Sequence, residues 1–338
     1  MNIMMLKKAS LILFSSLVLS SCLSPRDLLT SMFQFRPDYT LERRVIYQTV
    51  RGPDGCLIPN HADGKILLIP IQGVIQSTGY ISNSTVSPAF IERLLQNASD
   101  EGGWKAVILY INSPGGTVTA SHQIYRQIQD FSKKNELKVH AHINSLGASG
   151  AYYISMAADE ISAEETARVG SIGVIMRSIS LQGLLEKYGI RYQAIASGAN
   201  KDTGSIFKDI SPEEEAFLKS QISVSYERFL QIILESRKDR IGSEKLRQVA
   251  DGRVYLAAHA KNLGLIDQLA EFPGVVAQLG DKYGSRAPEV VTWLPRDTQA
   301  QSIYDLELAT QSSAEYQLEV LRGLAGQKMF YIWPDSFF

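Results

Sequence analysis

The segment Asn144-Ser-Leu-Gly-Ala-Ser149-Gly150-Ala-Tyr-Tyr-Ile-Ser155 joins the apolar run Val139–Ile143 to a stretch with helical periodicity. A short apolar run of this kind is typical of a buried strand, and the tyrosines beyond it fall on one helical face. The small residues around Ser149 leave room for another segment to approach its backbone. The pattern predicts a strand–turn–helix unit with Ser149 at the helix N-terminus, where free amides favour developing negative charge. A packing site of small residues between a strand and a helix is the alternative at this point.

Strands and helices alternate on both sides of this unit. Nearly continuous apolar runs at Lys65–Ile75 and Ala106–Ile111 predict strands buried on both faces. The other predicted elements are helices Pro88–Asp100, Val118–Phe131, Leu181–Tyr188, Ser211–Arg240 and Phe272–Tyr283, and strands Leu137–Ile143, Glu160–Ala163, Ser171–Met176, Arg191–Ala196 and Val290–Leu294. This order predicts an α/β fold in which βαβ units build a mostly parallel sheet with flanking helices.

The composition is that of an ordinary globular protein. The chain has 338 residues, of which 45% are hydrophobic and 20% are charged, and its formal net charge is -1. A charge this close to zero gives no electrostatic case for binding nucleic acid. The two cysteines, Cys22 and Cys56, are too few for a disulfide framework or a cysteine metal cluster.

The N-terminus carries the pattern of an export signal. Lys7 and Lys8 precede the apolar run Ala9–Ser21, which is shorter than the ~20 residues that a membrane-spanning helix needs. The run ends in Leu19-Ser-Ser-Cys22, which resembles the lipobox of bacterial lipoprotein signals, where the cysteine is lipidated. We therefore predict an export signal of the lipoprotein type at 1–22 and a tether at 23–64. An ordinary cleaved signal and an uncleaved signal anchor are alternatives, and all three place the rest of the chain outside the cytoplasm near a membrane.

A second glycine-rich stretch, Asn112-Ser-Pro-Gly-Gly116-Thr, follows the second predicted strand. Pro-Gly-Gly predicts a tight turn whose backbone amides face a ligand. Because ligands of open α/β sheets bind at the carboxyl ends of the strands, this turn and the one at Ser149 are expected at one edge. Together they suggest a nucleophile with an oxyanion hole, although a purely structural βα turn would have the same sequence.

A nucleophilic serine needs a base. The histidines of the chain are His61, His122, His140, His142 and His259. His140 and His142 alternate within a predicted strand and are interpreted as strand residues, and His259 lies in a polar, helix-rich stretch. Lys201 lies in a loop of small residues that is predicted to reach the same sheet edge. Burial there would lower the pKa of its amine and make it a general base, whereas a solvated loop lysine is the alternative.

Five motifs resemble the signal peptide peptidase A family of serine–lysine proteases, whose fold group is shared with the Clp protease and the crotonases. They are Tyr110-Ile-Asn-Ser-Pro-Gly-Gly116, Gly147-Ala-Ser-Gly-Ala-Tyr-Tyr-Ile154, Val169-Gly-Ser-Ile-Gly-Val174, Ser197-Gly-Ala-Asn-Lys-Asp202, and Ala250-Asp-Gly-Arg-Val-Tyr255 with Leu263-Gly-Leu-Ile-Asp267. The resemblance implies a Clp/crotonase-like parallel sheet, a peptidase domain at 65–270 and a C-terminal extension at 271–338.

The resemblance also implies the roles of individual residues. Ser149 would be the nucleophile, Lys201 the general base, and Ser171 the residue that orients the lysine. The amides of Gly116 and Gly150 would form the oxyanion hole. No cofactor or metal is implied, and the expected substrates are apolar, signal-peptide-like peptides.

The chain carries one copy of these motifs. Single-copy members of the family form rings in which serine and lysine of one site come from neighbouring protomers. The resemblance therefore implies a membrane-associated homo-oligomer in the bacterial cell envelope. The apolar end Met329–Phe338 is expected to pack on the core or on a neighbour.

Three rival interpretations remain at this point. One is a non-catalytic lipoprotein scaffold with the same fold. Another is a Clp-like Ser-His-Asp peptidase with His259 as its base. The third, an acyl-CoA enzyme of the crotonase type, conflicts with the predicted export signal, because acyl-CoA is cytosolic.

Overall fold

The computed structural model describes residues 40–48, 62–77, 85–296, 298, 300–308 and 330–332. The predicted export signal with Cys22, and most of the predicted tether, lie outside these residues. Among the helices of the described part, none is both long and apolar enough to cross a membrane. Thr40–Phe338 form one compact unit.

Strands and helices alternate along most of the described chain. The strands are β1 (Leu41–Gln48), β2 (Gly64–Ile75), β3 (Thr85–Val86), β4 (Trp104–Thr117), β5 (Val139–Ala148), β6 (Glu160–Ala163), β7 (Arg168–Gly170), β8 (Val254–Leu256), β9 (Gln268–Leu269), β10 (Pro288–Pro295) and β11 (Phe330–Ile332). The helices are α1 (Pro88–Glu101), α2 (Val118–Lys134), α3 (Gly150–Ser155), α4 (Gln182–Lys187), α5 (Pro212–Arg237), α6 (Ser243–Val249), α7 (Ala257–Leu263), α8 (Phe272–Tyr283) and α9 (Asp305–Leu308).

One sheet collects these strands in the order β1-β10-β2-β4-β5-β6-β9. The neighbours from β10 to β9 are parallel, and β1 pairs antiparallel with β10. The short strands β3, β7, β8 and β11 branch from this path. The predicted α/β fold with a mostly parallel sheet is confirmed.

Helices cover both faces of the sheet because side chains of a strand alternate between its faces. Leu67 and Ile69 of β2 belong to the cluster packed against α1, α2 and the end of α5. Ile66 and Leu68 of the same strand belong to the cluster packed against α8. The buried central strands therefore carry apolar side chains at nearly every position.

The sheet runs across the predicted domain boundaries at 64/65 and 270/271. β1 lies within the predicted tether, and β10 lies within the predicted C-terminal extension. β10 inserts between β1 and β2, with Val290 opposite Ile66. An apolar strand needs partners on both edges to satisfy its backbone, and the central sheet provides them.

Three local predictions were wrong. Asn112–Thr117 is not a tight turn but the end of β4, which pairs with β2 through Gly115 and Gly116. Arg191–Ala196 forms no strand and is exposed throughout, because the described sheet offers it no pairing strand. Ser171–Met176 likewise forms no extended strand; the strand there is β7, just before it.

His140 and His142 are buried strand residues, as predicted. Both rings contact the Ser162 hydroxyl on β6, at 2.8 Å from His140 Nε2 and 3.0 Å from His142 Nδ1. Burial is the main cause that lowers the pKa of His140 to about 4. His140 is therefore neutral in the folded protein near pH 7.

This burial predicts a loss of stability in mild acid. The pKa of His140 is about 4 in the folded chain against 6.5 for an unperturbed histidine, so the unfolded chain takes up the proton first as the pH falls through this window. The free energy of unfolding should fall by up to about 3 kcal/mol between pH 7 and pH 4 through this group. Urea unfolding at pH 7 and pH 4.5 measures the effect.

The matched variants are His140→Gln and His259→Gln, the second at an exposed position. His140→Gln should flatten the pH dependence, and His259→Gln should leave it as in the wild type. An unchanged slope in His140→Gln would show that another group causes the acid sensitivity.

Candidate active site

Ser149 lies between β5 and α3 in a strained backbone conformation. Its φ is 55° and its ψ is -114°, and a non-glycine residue held there costs on the order of 1–3 kcal/mol. Two backbone hydrogen bonds hold it: the Ser149 N–H donates to the Gly170 carbonyl at 2.7 Å, and the Ser149 carbonyl accepts from the Tyr153 N–H at 2.9 Å. The predicted strand–turn–helix unit is present, and strain of this kind is concentrated at functional sites.

Ser171 is brought beside Ser149 by strand pairing. β7 is parallel to β5, with Gly170 opposite Ala148, so each serine follows directly on a paired residue. Ser171 also has a positive φ of 49°. Its N–H donates to the Arg253 carbonyl at 2.7 Å. The sequence analysis assigned no role to Arg253, although it lies within one of the five motifs.

The two predicted oxyanion glycines lie on elements that meet at Ser149. Gly150 is the first residue of α3, where an amide has no acceptor within its helix. Gly116 lies near the end of β4 against β2, and a Cβ there would be 1.8 Å from the Ile75 carbonyl oxygen. The neighbouring Gly115 N–H donates to the Ser113 hydroxyl at 3.1 Å. The backbone of β4 therefore approaches its neighbours at a distance that only glycine permits.

The Ser149 hydroxyl is buried and has no hydrogen-bond partner among the described residues. Leaving a buried hydroxyl without a partner costs about 1–3 kcal/mol, and such groups are rare in folded proteins. An unpartnered hydroxyl on a strained turn beside a second serine is a candidate nucleophile that still needs a base.

Lys201 is not that partner within one chain. Its side chain is exposed, in contrast to the expectation of a buried amine at the sheet edge. The cause is the conformation of residues 178–210, here named the Lys201 segment, which do not form the predicted strand and leave the sheet. The structure brings together Ser149, Ser171, Gly116 and Gly150, but not Lys201.

The Lys201 segment is nevertheless cross-linked by polar contacts. Asp202, next to Lys201, accepts a hydrogen bond from the Tyr192 hydroxyl at 2.8 Å. The Lys208 ammonium lies 3.8 Å from Asp202 and 2.7 Å from Glu214. Glu214 also closes a capping box with Ser211 at the start of α5. The loop that carries Lys201 is therefore held to the helix N-terminus rather than free to move alone.

Histidines offer no alternative base in the described chain, because none of them reaches the Ser149 hydroxyl. His259 is exposed and packs edge-on against Tyr255. The His122 Nδ1 lies 2.8 Å from the Tyr153 hydroxyl. His61 lies outside the described residues. Within the described residues, no group of three His, Cys, Asp or Glu side chains could hold a metal ion.

Comparison with known proteins gives matches over the same region. Residues 132–284 match the model of peptidase family S49, and residues 66–183 match the N-terminal domain of NfeD1b. A candidate protease from Synechocystis sp. is 37% identical over 195 residues, which are 58% of this chain and 68% of that protein. A candidate protease from Methanocaldococcus jannaschii is 33% identical over 218 residues, which are 64% of this chain and 69% of that protein. A candidate signal peptide peptidase SppA from Enterococcus faecium is 32% identical over 229 residues, which are 67% and 66% of the two chains.

The close approach at Gly116 predicts a stability effect. Gly116→Ala should lower the free energy of unfolding by about 3 kcal/mol or more, because the new Cβ overlaps a backbone carbonyl that cannot move away. Gly183→Ala is the control, since a Cβ at this exposed α4 position meets nothing within 4 Å. It should leave stability unchanged or raise it by up to about 1 kcal/mol. Urea unfolding followed by circular dichroism compares them, and wild-type stability of Gly116→Ala would contradict the packing argument.

Proposed function

The chain belongs to peptidase family S49, and on that premise we propose that it is a serine endopeptidase with Ser149 as nucleophile and Lys201 as general base. The observation that carries the proposal is the Ser149 hydroxyl, which is buried, unpartnered and held on a strained turn. The neighbouring Ser171 and the glycine backbones of β4 and α3 supply the other groups that acyl transfer needs.

The proposed reaction begins with a neutral Lys201 amine, which takes the proton of the Ser149 hydroxyl as its oxygen attacks a peptide carbonyl. The Gly116 and Gly150 amides bind the oxyanion of the tetrahedral intermediate. The C–N bond then breaks, the leaving amine receives the proton from Lys201, and an ester remains on Ser149. Water, deprotonated by the same lysine, hydrolyses this ester. Ser171 orients the lysine by a hydrogen bond.

The base is proposed to come from a second copy of the chain. Ser149 has no base of its own, and Lys201 is exposed on a braced segment. The exposed large apolar side chains of that segment are Ile179, Leu184, Tyr188, Ile190, Tyr192, Ile195 and Phe207. A monomer rarely exposes so many apolar side chains on one segment, and burial against a neighbour would also desolvate Lys201 and lower its pKa.

The proposed substrates are apolar peptides such as remnants of signal peptides. This proposal rests on the relatives, one of which is named as a candidate signal peptide peptidase. It also rests on the predicted lipoprotein signal, which would anchor the protein by Cys22 at the membrane of the bacterial cell envelope, where such remnants are released.

Single substitutions test both catalytic roles. Ser149→Ala and Lys201→Ala should each reduce kcat for an apolar peptide by more than about a thousandfold, since each removes an essential group. Lys187→Ala, which removes another exposed lysine of the same segment, is the matched control and should keep wild-type activity. Full activity of Lys201→Ala would favour the rival base His259.

Mixed oligomers test whether the site is shared. When Ser149→Ala and Lys201→Ala chains are unfolded together and refolded, some interfaces combine an intact serine with an intact lysine. Random assembly should restore about one quarter of the wild-type activity, because each site draws one group from each neighbour. Mixtures without any activity would mean that both groups come from the same chain.

The apolar surface of the Lys201 segment predicts an assembly defect. Ile195 is 94% exposed, and Ile195→Asp should shift the sedimentation coefficient to that of smaller species and lower activity in parallel. Tyr304→Asp, at an exposed site outside the segment, should keep the wild-type assembly. Wild-type sedimentation of Ile195→Asp would exclude this surface from the interface.

A non-catalytic scaffold is the second candidate function, and the buried state of the Ser149 hydroxyl favours it. A fluorophosphonate probe separates the two candidates. Labelling of the wild-type chain and not of Ser149→Ala is expected for the peptidase. Absence of labelling in both chains, together with absence of peptide turnover, would favour the scaffold.

A further inference from the structure

The C-terminal strand β11 lies on the part of β4 that carries the proposed oxyanion glycine. The two strands are antiparallel, and Phe330, Tyr331 and Ile332 stand opposite Thr117, Gly116 and Gly115 in that order. β11 also lies against α2 and α3, the helices that begin on either side of the proposed site. The end of the chain thus returns to the place where Ser149 stands.

The pairing on both sides of β4 shows which edge β11 occupies. On one side, β2 continues to the end of β4, with Ile75 opposite Gly116. On the other side, β5 pairs with β4 only as far as Ser113 opposite Gly147, and then turns away at Ser149. β11 fills the position that β5 leaves, directly beside the Ser149 turn.

A peptide substrate would need the same edge. Acyl transfer requires a peptide carbonyl next to both the nucleophile and the oxyanion donors. An extended peptide that adds to an exposed strand edge is held by main-chain hydrogen bonds and needs no specific side chains. The free edge of β4 beside Ser149 is the position that meets these conditions, and β11 takes it. The burial of the Ser149 hydroxyl agrees with an occupied edge, because its oxygen is closed to solvent.

We propose that the C-terminal segment Phe330–Phe338 occupies the peptide-binding edge of its own chain and competes there with substrate. The proposal rests on the proposed function of Ser149. The sequence Met329-Phe-Tyr-Ile-Trp-Pro-Asp-Ser-Phe-Phe338 has the apolar composition of the proposed substrates. The segment is therefore an intramolecular inhibitor that an apolar peptide must displace.

The connection to the rest of the chain makes such competition effective. Residues 309–329 join α9 to β11, and a flexible linker of this length holds its end at an effective concentration on the order of millimolar. Loop closure costs little more for a linker of this length than for a shorter one. A weak three-residue pairing can then hold the edge most of the time and still yield to a longer peptide.

Truncation is the first test. A chain that ends at Met329 should show a lower KM for an apolar peptide and an unchanged kcat, since removal of a competitor alters only the fraction of open edges. If the segment fills the edge nine-tenths of the time, KM should fall about tenfold. An unchanged KM in a folded, active truncated chain would overturn the proposal.

A synthetic peptide of residues 329–338 is the second test. Added to the truncated chain, it should raise KM at constant kcat, and a scrambled peptide of the same composition is the matched control. Equal inhibition by the two peptides would reduce the effect to general hydrophobicity and would also overturn the proposal.

Proline variants of the full chain cover the case that truncation prevents folding. Neighbouring residues of an antiparallel strand point their N–H groups in opposite directions, so only one of Tyr331→Pro and Ile332→Pro removes a hydrogen bond to β4. One of these variants should lower KM several-fold and the other should stay near wild type. Wild-type KM in both would count against β11 as a competitor.

A binding experiment separates this inference from the proposed function. A fluorescent peptide of residues 329–338 should bind the truncated chain carrying Ser149→Ala, as measured by anisotropy, and the unlabelled scrambled peptide should not displace it. This readout does not depend on turnover. Binding without any probe labelling of Ser149 in the wild type would retain the docking of the segment and reject the peptidase. Labelling without peptide binding would retain the peptidase and reject the docking.

Discussion

The hydrogen bond from the Ser149 N–H to the Gly170 carbonyl, at 2.7 Å, is the contact on which the rest of the site depends. It continues the pairing of β5 with β7 by one residue, past Ala148 and Gly170. The strained backbone of Ser149 persists because strand pairing on one side and the first turn of α3 on the other leave it no relaxed alternative. The same pairing brings Ser171 next to Ser149.

The end of β4 is the second constraint, since three segments converge on it. β2 lies so close that only glycine fits at position 116, and β5 departs from the other edge at Ser149. That departure opens a stretch of strand edge next to a nucleophile. An open edge binds extended chain without regard to its origin, so the substrate and β11 are competitors for one surface. Occupation of the edge by β11 and exposure of the Lys201 segment describe one chain whose site is closed and incomplete by itself.

The central elements were predictable because they follow from local patterns. Apolar runs located β2, β4 and β5, helical periodicity located α1, α2 and α8, and the cap Ser211 with Pro212 located the start of α5. The errors share one cause. Pro114-Gly-Gly116 looked like a turn, yet partners on both edges keep it extended; Arg191–Ala196 looked like a strand, yet the sheet has no edge beside it. Pairing partners decide such cases, and they are distant in the chain.

The sequence alone determined the α/β class, the order of the main strands, and Ser149 as a hydroxyl on a strand-to-helix turn, because small residues and apolar runs act through neighbours in the chain. It also showed the motifs that carry Ser171, Gly116, Gly150 and Lys201. Only the tertiary structure decided that Ser149 and Ser171 meet while Lys201 stays exposed, and that β1 and β10 belong to the central sheet. It alone placed β11 on the edge of β4. These relations join residues far apart in the chain, and their geometry comes from strand pairing, which local patterns do not encode.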